Sequence, residues 1–421
     1  MISPARTAAL SALIQESPSF PCEKDADRHL AERLYYGVIQ NERFLDACLA
    51  LYMKSAPKRM KPQLRLILRL SAYQILFLDR IPASAAVNDA VALCRQRKMD
   101  YAAGFVNAVL RNLARNREEV LSGPWEPPVR YSHPDWLYAS LSEDFSPSLA
   151  DAFLTENQIL PGIRLQVNTL KMDLTGFLEK LSAAGIPTLD ANRTLSSVLV
   201  PAMPVENIPG YREGCFFVQD DAARMAVHLA GPFQGRRVLD VCCAPGGKSM
   251  ASVLEGAESV TACDINAKRL QRCRDNFERM QFSVSCREQD ASVLNGEFCS
   301  AFDIVIADVP CSGTGVIRKH PEIRRRTEAE TESLLPLQRQ ILDTVSACVK
   351  DGGTLLYATC SVLKRENEDQ AEWFLRSHPD YSLEPVSAEG FSCLNGMMRS
   401  WPQDNHNDGF FACRFRKCLS T

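Results

Sequence analysis

The segment RRVLDVCCAPGGKS, residues 236–249, decides the fold class that we predict for this chain. It begins as a short apolar run with β-branched residues and continues through a glycine-containing turn into residues that can start a helix. A strand that leads directly into a helix is the repeating unit of parallel α/β sheets. We therefore expect a doubly wound α/β domain around this segment.

Four further apolar runs, separated by helical stretches, continue the pattern toward the C-terminus. They are ESVTACD (258–264), SVSCREQD (283–290), FDIVIADV (302–309) and GTLLYATC (353–360). Such alternation predicts a mostly parallel sheet, and we assign it to residues 213–421. Two later runs, near 381–386 and 410–416, are expected to complete the sheet edge as a hairpin.

The first 122 residues show a helical pattern instead. The stretch QLRLILRLSAYQILFL, residues 63–78, repeats apolar residues every three or four positions, and Lys61-Pro62 suits a helix start. The residues expected to share one buried face are Leu64, Ile67, Leu68, Ser71, Ile75 and Leu78. We predict an all-α domain over residues 1–122.

A proline-rich stretch, residues 122–134, marks a boundary after this domain. We assign residues 123–160 to a linker with connector helices. In the next part, residues 161–212, IRLQVNT (163–169) alternates like a strand and DLTGFLEKLSAAGI (173–186) is amphipathic like a helix. This part is expected to form a small α+β connector subdomain.

Composition excludes several protein classes. The chain has 421 residues, is 46% hydrophobic and 24% charged, and has a net charge of -3, so no overall basic signal for nucleic acid is present. Its 16 cysteines include no CxxC pair, which argues against structural zinc and redox motifs. It has neither a secretory signal nor an apolar run of about 18 residues. We expect a cytoplasmic monomer without membrane or metal, whose thiols are free and mostly buried.

Two groups of basic residues are open to two interpretations. The first group is Lys54, Lys58, Arg59, Lys61, Arg65 and Arg69. The second group is Arg318, Lys319, Arg324, Arg325 and Arg326. Each is either a solvated face or a strip that contacts the phosphates of a nucleic acid.

The turn in the opening segment has the features of a ligand site. Ligands of doubly wound sheets bind outside the carboxyl ends of the strands. Gly246 and Gly247 allow close approach of the backbone, and the helix start after them offers free N–H groups. A phosphate-binding loop requires glycine where Cys242 stands, and adjacent glycines do not match the dinucleotide pattern GxGxxG, so both of these sites are excluded.

Four aspartates lie at the ends of successive predicted strands: Asp240, Asp264, Asp290 and Asp308. An acid at the end of the second strand can accept hydrogen bonds from both hydroxyls of a ribose. A triphosphate would be repelled by this series, whereas S-adenosylmethionine offers a ribose, an adenine and a cationic sulfonium. A single strand-end aspartate is commonly a helix cap, but four beside a double glycine favour a nucleoside-containing cofactor.

Two cysteines lie at predicted strand ends. Cys311 in DVPCSGTG (308–315) follows the fourth strand, and Cys360 in YATCSVLK (357–364) ends the fifth. If these strands are neighbours, about 5 Å apart, both thiols face the methyl donor. The other cysteines are interpreted as inert core residues, which is the usual role of a free cysteine.

Methylation at carbon 5 of cytosine would use both thiols. A thiolate that adds to carbon 6 turns the ring into an enamine, so that carbon 5 can accept a methyl group. A second cysteine can assist release of the enzyme, Asp308 can hold the N3/N4 edge of the base, and Lys248 can stabilise charge nearby. The base must be unstacked or single-stranded to be reached. Spacing alone does not decide which cysteine attacks.

Over nearly its whole length, the chain resembles the NOL1/NOP2/Sun family of RNA cytosine-5 methyltransferases. The matching motifs are CCAPGGK (242–248), DVPCSGTGVIRKHPEIR (308–324), YATCSV (357–362), DGFF (408–411), VNTLK (167–171) and GCFFVQDDAARMA (214–226). Residues 1–122 resemble a NusB-type RNA-binding helical domain through RLSAYQILFLDRIPASAAVNDAV (69–91) and GFVNAVLRN (104–112). The resemblance implies a Rossmann-like class I methyltransferase domain, S-adenosylmethionine as cofactor and small-subunit (16S) ribosomal RNA as substrate.

The same resemblance assigns roles to single residues. It places the nucleophile at Cys360 and the product-release cysteine at Cys311. The cofactor contacts fall on Cys242, Cys243, Ala244, Pro245, Gly246, Gly247, Lys248, Asp264, Asp290 and Asp308. The chain departs from the family pattern at Cys243, Val309 and Arg325, where alanine, alanine and tryptophan are common, and the last departure concerns RNA contact.

Two alternatives stay open at this point. The chain can be a non-catalytic RNA-binding assembly factor that works through its helical domain, or it can methylate another target, such as tRNA or a protein. Intact motifs argue against the first alternative. The cysteine pair argues against a protein target, because an amine nitrogen attacks a methyl donor without help from thiols.

Overall fold

The computed structural model describes residues 2–54 and 60–419, so Lys58 and Arg59 of the first basic group lie outside the described residues. The chain divides into two compact units, Met1–Gln158 and Ile159–Thr421. Each unit has its own buried apolar core. The described part of the first unit is helical, and the second unit contains two β-sheets flanked by helices.

The described part of the N-terminal unit contains ten α-helices. They are α1 (Pro4–Gln15), α2 (Asp25–Gln40), α3 (Glu42–Ala50), α4 (Pro62–Phe77), α5 (Ala83–Gln96), α6 (Ala103–Arg115), α7 (Arg117–Leu121), α8 (Pro127–Arg130), α9 (Asp135–Asp144) and α10 (Pro147–Glu156). Helix α4 packs against α1, α2, α3, α5 and α6, so it is buried over most of its circumference. It starts at the predicted proline, and the six residues predicted to share a face are all buried.

One member of the first basic group belongs to this interior. The guanidinium of Arg69 donates to both carboxylate oxygens of Asp46, at 2.8 and 2.6 Å, and pairs with Glu42 at 3.0 Å. Arg69 is buried, and a buried charge is tolerated when it is paired in this way. Neither a solvated face nor a phosphate-binding strip therefore describes Arg69.

The second unit begins with a small antiparallel sheet. Its strands are β1 (Ile163–Val167), β2 (Asp190–Asn192), β3 (Ser197–Val200) and β4 (Phe216–Val218), in the order β2-β3-β1-β4. Helix α11 (Leu174–Ala183) packs on this sheet, and the ring of Phe177 lies 5.4 Å from that of Phe216. The predicted α+β subdomain is confirmed.

The large sheet contains the five predicted strands, which are parallel in the order β7-β6-β5-β8-β9. They are β5 (Arg237–Asp240), β6 (Ser259–Asp264), β7 (Ser285–Glu288), β8 (Phe302–Asp308) and β9 (Val349–Thr359). The helices of this part are α12 (Asp221–Ala230), α13 (Gly247–Leu254), α14 (Ala267–Met280), α15 (Glu328–Glu332), α16 (Leu335–Ser346), α17 (Glu368–Ser377) and α18 (Pro402–Asn405). The doubly wound α/β prediction is confirmed, and β8 and β9 are neighbours as expected.

The predicted edge hairpin is wrong. Strand β10 (Tyr381–Glu384) pairs with β13 (Phe410–Lys417), but β11 (Ser392–Leu394) and β12 (Met397–Ser400) lie between them in sequence. Strand β13 is inserted antiparallel between β9 and β12. The sequence of β12, MMRS, has no β-branched residue, so strand propensity did not reveal it, although all four residues are buried.

Candidate active site

The candidate site lies where the order of the parallel strands reverses. Strands β5 and β8 are adjacent, with Asp240 opposite Ile306, and they end at Asp240 and Asp308. In such sheets the crevice outside these strand ends is the usual ligand site. The loops that follow the two strands carry the glycine turn and Cys311, so the fold brings both predicted motifs to one edge.

The glycine turn has the conformation that its sequence predicts. Gly246 has φ of 101°, in the left-handed region, and a Cβ there would lie 2.9 Å from the ring of Phe277. Helix α13 begins at the next residue, Gly247. The N–H of Ala244 donates to Asp264 at 3.3 Å, which ties the turn to the end of β6.

Three of the four aspartates surround the start of this turn. Burial and the negative charges of Asp308, Asp240 and Asp264 together raise the pKa of the Cys242 thiol. The fourth, Asp290, accepts hydrogen bonds from the backbone N–H and the hydroxyl of Ser292, at 2.9 and 2.7 Å, and so caps its own turn. Two of the three carboxylates around the turn have cationic partners: Asp308 pairs with Lys248 at 2.5 Å and Asp264 lies 3.6 Å from Arg269.

Asp240 and Cys243 point into the protein interior. Asp240 is fully buried and accepts a hydrogen bond from Ser249 at 2.7 Å, while its other oxygen has no hydrogen-bond partner among the described residues. Burial raises the pKa of Asp240 to about 7. The sulfur of Cys243 lies 3.8 Å from that of Cys273 on α14, within the apolar core. Any cofactor contact at Cys243 would therefore come from its backbone.

Lys248 joins the turn to the end of β8. Its Nζ donates to Asp308 at 2.5 Å and lies 5.2 Å from the ring centre of Phe410. Burial opposes the charge on Lys248, but Asp308, Asp240 and Cys360 together raise its pKa. Lys248 therefore stays cationic, and it lies close enough to the Cys360 sulfur for the two groups to interact electrostatically.

The two predicted cysteines come together. Because β8 and β9 are paired in parallel, with Asp308 opposite Ala358, the loops after them lie side by side. The sulfur atoms of Cys311 and Cys360 are 3.3 Å apart. The hydrogen bond with Cys360 and burial raise the pKa of Cys311 well above that of a free thiol. Cys311 therefore stays protonated, and its S–H can donate to the Cys360 sulfur.

Backbone hydrogen bonds hold these loops in place. The N–H of Gly315 donates to the carbonyl of Cys360 at 2.9 Å, and the N–H of Gly409 donates to the carbonyl of Gly315 at 2.9 Å. A Cβ on Gly315 would lie 1.9 Å from the carbonyl oxygen of Gly409. The motif DGFF therefore acts as a brace for the loop that carries Cys311.

The second basic group is largely internal. Lys319 pairs with Asp408 at 2.7 Å and with Asp220 at 3.0 Å, and Arg318 lies 3.6 Å from Asp408. Burial and Asp220 raise the pKa of Asp408 to about 6. Arg318 and Arg324 are buried. For Arg318 and Arg324 both proposed interpretations are wrong, because these side chains are buried within the fold.

Sequence reasoning missed two buried acids near the site. Asp220 lies in the matched motif GCFFVQDDAARMA, which was given no role, and it anchors Lys319. Glu366 lies in the charged stretch KRENED (364–369), a composition typical of a solvated face, yet its side chain is fully buried. Charge alone does not separate buried from solvated acids, so only the three-dimensional contacts reveal them.

Three family models match the chain in succession: the NusB family over residues 5–115, a ferredoxin-like domain of RsmF/B-like methyltransferases over 133–203, and 16S rRNA methyltransferase RsmB/F over 227–416. The ribosomal RNA small subunit methyltransferase B of Pseudomonas putida is 34% identical, over 99% of this chain and 98% of its own length. This chain belongs to the RsmB/F family of 16S rRNA methyltransferases. It is an rRNA methyltransferase, which overturns the alternative of a non-catalytic assembly factor.

Other relatives agree with the RsmB/F assignment. A probable ribosomal RNA small subunit methyltransferase B of Bacillus subtilis is 32% identical over 93% of this chain and 91% of its own length. The crystal structure of PH0851 superposes with a TM-score of 0.81 at 24% identity, covering 99% of both chains. That of NSun6 from Pyrococcus horikoshii with SFG superposes with a TM-score of 0.63 at 18% identity, covering 68% of this chain and 99% of its own. These two likenesses confirm the fold.

Within residues 2–54 and 60–419, no helix is both long and apolar enough to span a bilayer. In the same residues, no three or more His, Cys, Asp or Glu side chains are grouped as metal ligands.

Proposed function

We propose that this RsmB/F-family enzyme transfers a methyl group from S-adenosylmethionine to carbon 5 of a cytosine in 16S ribosomal RNA. The observation that carries the proposal is the 3.3 Å approach of the Cys311 and Cys360 sulfur atoms at the ligand-binding edge of the sheet. A nucleophilic mechanism on a pyrimidine ring needs one thiol to attack carbon 6, and a second thiol beside it can assist release, whereas methylation of a ring or amine nitrogen needs neither.

The residues at the strand reversal fit S-adenosylmethionine. The Asp264 and Asp308 carboxylates around Cys242 suit a ligand that carries a ribose and a cationic sulfonium. We assign the contacts to the loop 242–248 and to Asp264, Asp290 and Asp308. When bound, the cofactor supplies an electrophilic methyl group.

The two cysteines divide the chemistry between them. The Cys360 sulfur would add to carbon 6 of the base, so that carbon 5 can take the methyl group as its bond to the sulfonium sulfur breaks and a neutral thioether leaves. Loss of the C5 proton to solvent would then let the C6–sulfur bond break with its electron pair on Cys360. Cys311, which stays protonated, donates a hydrogen bond to the departing Cys360 sulfur and so assists release. The attack is assigned to Cys360 because Lys248 places a positive charge near its sulfur.

We assign binding of the cytosine base to the ion pair of Lys248 and Asp308, which lies beside the two cysteines. Asp308 is 27% exposed and therefore accessible from the crevice, and we assign it to the N3/N4 edge of cytosine. Lys248 stabilises charge that develops near the ring. The target cytosine must be unstacked or single-stranded to enter this crevice. We propose that the enzyme acts as a monomer in the cytoplasm.

The test separates the two cysteines. Cys360→Ala is expected to abolish 5-methylcytosine, and Cys311→Ala is expected to accumulate a covalent protein–RNA adduct that survives denaturing electrophoresis. Cys393→Ala, at an exposed position of β11, is the matched control and should behave as wild type. The measurements are nucleoside mass spectrometry after incubation with 16S RNA and gel analysis of adducts.

Two results would contradict the proposal. Full methylation by Cys360→Ala would exclude that residue as the nucleophile, and normal turnover by Cys311→Ala would exclude its role in release. Bisulfite sequencing of ribosomal RNA from cells with and without the gene identifies the modified cytosine, and an unchanged pattern would exclude 16S RNA as the substrate.

A further inference from the structure

The fully buried carboxylate of Glu366 has no part in the mechanism described so far. It lies six residues after Cys360, directly before helix α17, and its neighbour Asn367 is equally buried. Burying a charged group is unfavourable unless hydrogen bonds satisfy it. The partners of these two residues therefore show what the burial accomplishes.

Glu366 is linked by hydrogen bonds, directly or through Gln338, to the residues before and after Cys311. One of its oxygens accepts hydrogen bonds from the backbone N–H of Ser312 at 2.8 Å and from the side chain of Gln338 at 3.0 Å. Its other oxygen accepts from the Ser312 hydroxyl at 2.5 Å. Gln338 in turn donates to the carbonyl of Pro310 at 3.0 Å. The residues before and after Cys311 are thus fixed to one carboxylate.

Asn367 does the same for Cys360. Its side-chain oxygen accepts from the hydroxyl of Thr359 at 2.6 Å, and its amide donates to the carbonyl of Ser361 at 3.0 Å. The residues before and after Cys360 are thus fixed to the amide. Glu366 and Asn367 are consecutive, so one dipeptide binds both the Cys311 loop and the Cys360 loop. It thereby holds these loops at the separation that leaves the two sulfur atoms 3.3 Å apart.

The negative charge of Glu366 also acts on the thiol of Cys311. The groups that raise the pKa of Cys311 are the hydrogen bond to Cys360, burial, and then the negative charges of Cys360, Glu366 and Asp308. Two further groups face these residues: Arg326 donates to the carbonyl of Cys311 at 3.3 Å, and the Tyr357 hydroxyl donates to the carbonyl of Glu366 at 2.5 Å. The cation of Lys248 faces Asp308 and Cys360.

We propose that Glu366 is a positioning residue for the release step: it holds the Cys311 loop against the Cys360 loop and places a fixed negative charge behind Cys311. The inference rests on the proposed cysteine mechanism. In that step the C5 proton passes to solvent and the C6–sulfur bond breaks with its electron pair on Cys360. The Cys311 thiol donates its hydrogen bond to this sulfur, and the charge of Glu366 adds to the Cys360 hydrogen bond and to burial in keeping the thiol protonated.

The experiment measures the formation and the decay of the covalent adduct separately, as a function of pH. In Glu366→Gln the side-chain oxygen keeps accepting from Ser312 and Gln338, so adduct formation should stay within about twofold of wild type. The charge is lost, so the alkaline fall in the decay rate should move to lower pH. Glu366→Ala should slow both steps at least tenfold, with unchanged affinity for S-adenosylmethionine, and glutamine should rescue adduct formation.

Two further variants show whether the effects of the Glu366 substitutions are specific to this residue and its hydrogen bonds. Glu372→Gln, at an exposed position of α17, should leave both rates and their pH profiles unchanged. Ser312→Ala removes the 2.5 Å hydroxyl bond to Glu366 together with the longer contacts of this hydroxyl to Thr314 and Ser361, and it should slow decay. An unshifted pH profile in Glu366→Gln, or wild-type decay in Ser312→Ala, overturns the proposal.

Failure of the underlying mechanism is recognised independently. If the wild-type enzyme forms no adduct, or if Cys360→Ala methylates normally, the proposed function fails before any Glu366 variant is compared. If the wild type and the cysteine variants behave as expected but the Glu366 variants match wild type, only the inference about Glu366 fails.

Discussion

Asp240 and Asp308 both end a strand of the large sheet, but their environments differ. Asp240 is fully buried, and its one hydrogen bond comes from the hydroxyl of Ser249. Asp308 is partly exposed and pairs with Lys248 at 2.5 Å. Burial outweighs the nearby Lys248 cation and raises the pKa of Asp240, whereas Asp308 is paired directly with that cation. Two residues with the same sequence context therefore have different chemistry.

This difference predicts a pH-dependent effect of Asp240→Asn. The pKa of Asp240 rises from 3.8 to about 7 on folding, so the folded protein retains a proton that the unfolded chain has released. Stability contributed by this group is therefore present below about pH 4 and is lost as the pH rises toward 7. The asparagine variant does not ionise, so its free energy of unfolding relative to wild type should increase by about 2–4 kcal/mol over that window.

The measurement is chemical unfolding of the full chain and of Asp240→Asn at several pH values from about 5 to about 8. Asp173→Asn, at the exposed cap of α11, controls for a change of charge at the surface. A stability difference that does not vary with pH in Asp240→Asn would contradict the assignment.

Among the structural elements, three loops form the brace around the cysteines. They are residues 311–316, 360–363 and 408–411, and they are joined through backbone hydrogen bonds at Gly315. The close approach of Gly315 and Gly409 leaves no room for a side chain on either residue. The loops therefore depend on each other, although they are far apart in sequence.

Gly315→Ala is expected to disrupt the brace. The added Cβ would meet the Gly409 carbonyl at 1.9 Å, and because backbone cannot rotate away, the loops must separate. Overpacking of this kind costs about 1–3 kcal/mol. Methyl transfer should fall at least tenfold, and affinity for S-adenosylmethionine, measured by calorimetry, should change little.

Gly296→Ala provides the matched control, because no atom lies within 4 Å of the Cβ position there. It should retain wild-type activity and stability. If Gly315→Ala were as active as Gly296→Ala, the brace would not be needed to position the cysteines.

Across the whole molecule, a cysteine is buried when it lies in an apolar core, whether or not it belongs to a matched motif. All 16 cysteines are free, as predicted, but only eight are buried: Cys48, Cys94, Cys215, Cys243, Cys263, Cys273, Cys348 and Cys413. Three are exposed, namely Cys299, Cys393 and Cys418. Exposure controls access to a thiol as strongly as its pKa does.

A thiol titration of the folded protein should therefore show distinct classes. The three exposed thiols should react rapidly with a polar aromatic disulfide reagent, and the eight buried ones only after unfolding. Cys393→Ser should remove one rapid equivalent, and Cys48→Ala should remove none. Reaction of all thiols at a single rate would contradict this distribution.

Much of the architecture follows from the sequence. The five parallel strands, the connector subdomain and the central helix α4 were predicted because each carries a periodic apolar pattern that matches one type of element. Strand β12 and the insertion of β13 were not predicted, because the former has weak propensity and strand order is a long-range property. In the site, the two cysteines and the glycine turn were predicted, but Asp220, Glu366 and Gly409 were given no role.

The sequence by itself determined the class of fold, the sheet edge at which the glycine turn lies and the pair of thiols, because periodicity and residue chemistry are local properties. Only the tertiary structure decided how those groups act on each other. The 3.3 Å between the sulfurs, the pairing of Lys248 with Asp308 and the burial of Glu366 arise from contacts between segments distant in sequence. The sign and size of each electrostatic effect depend on burial and distance, and neither quantity is encoded in local spacing.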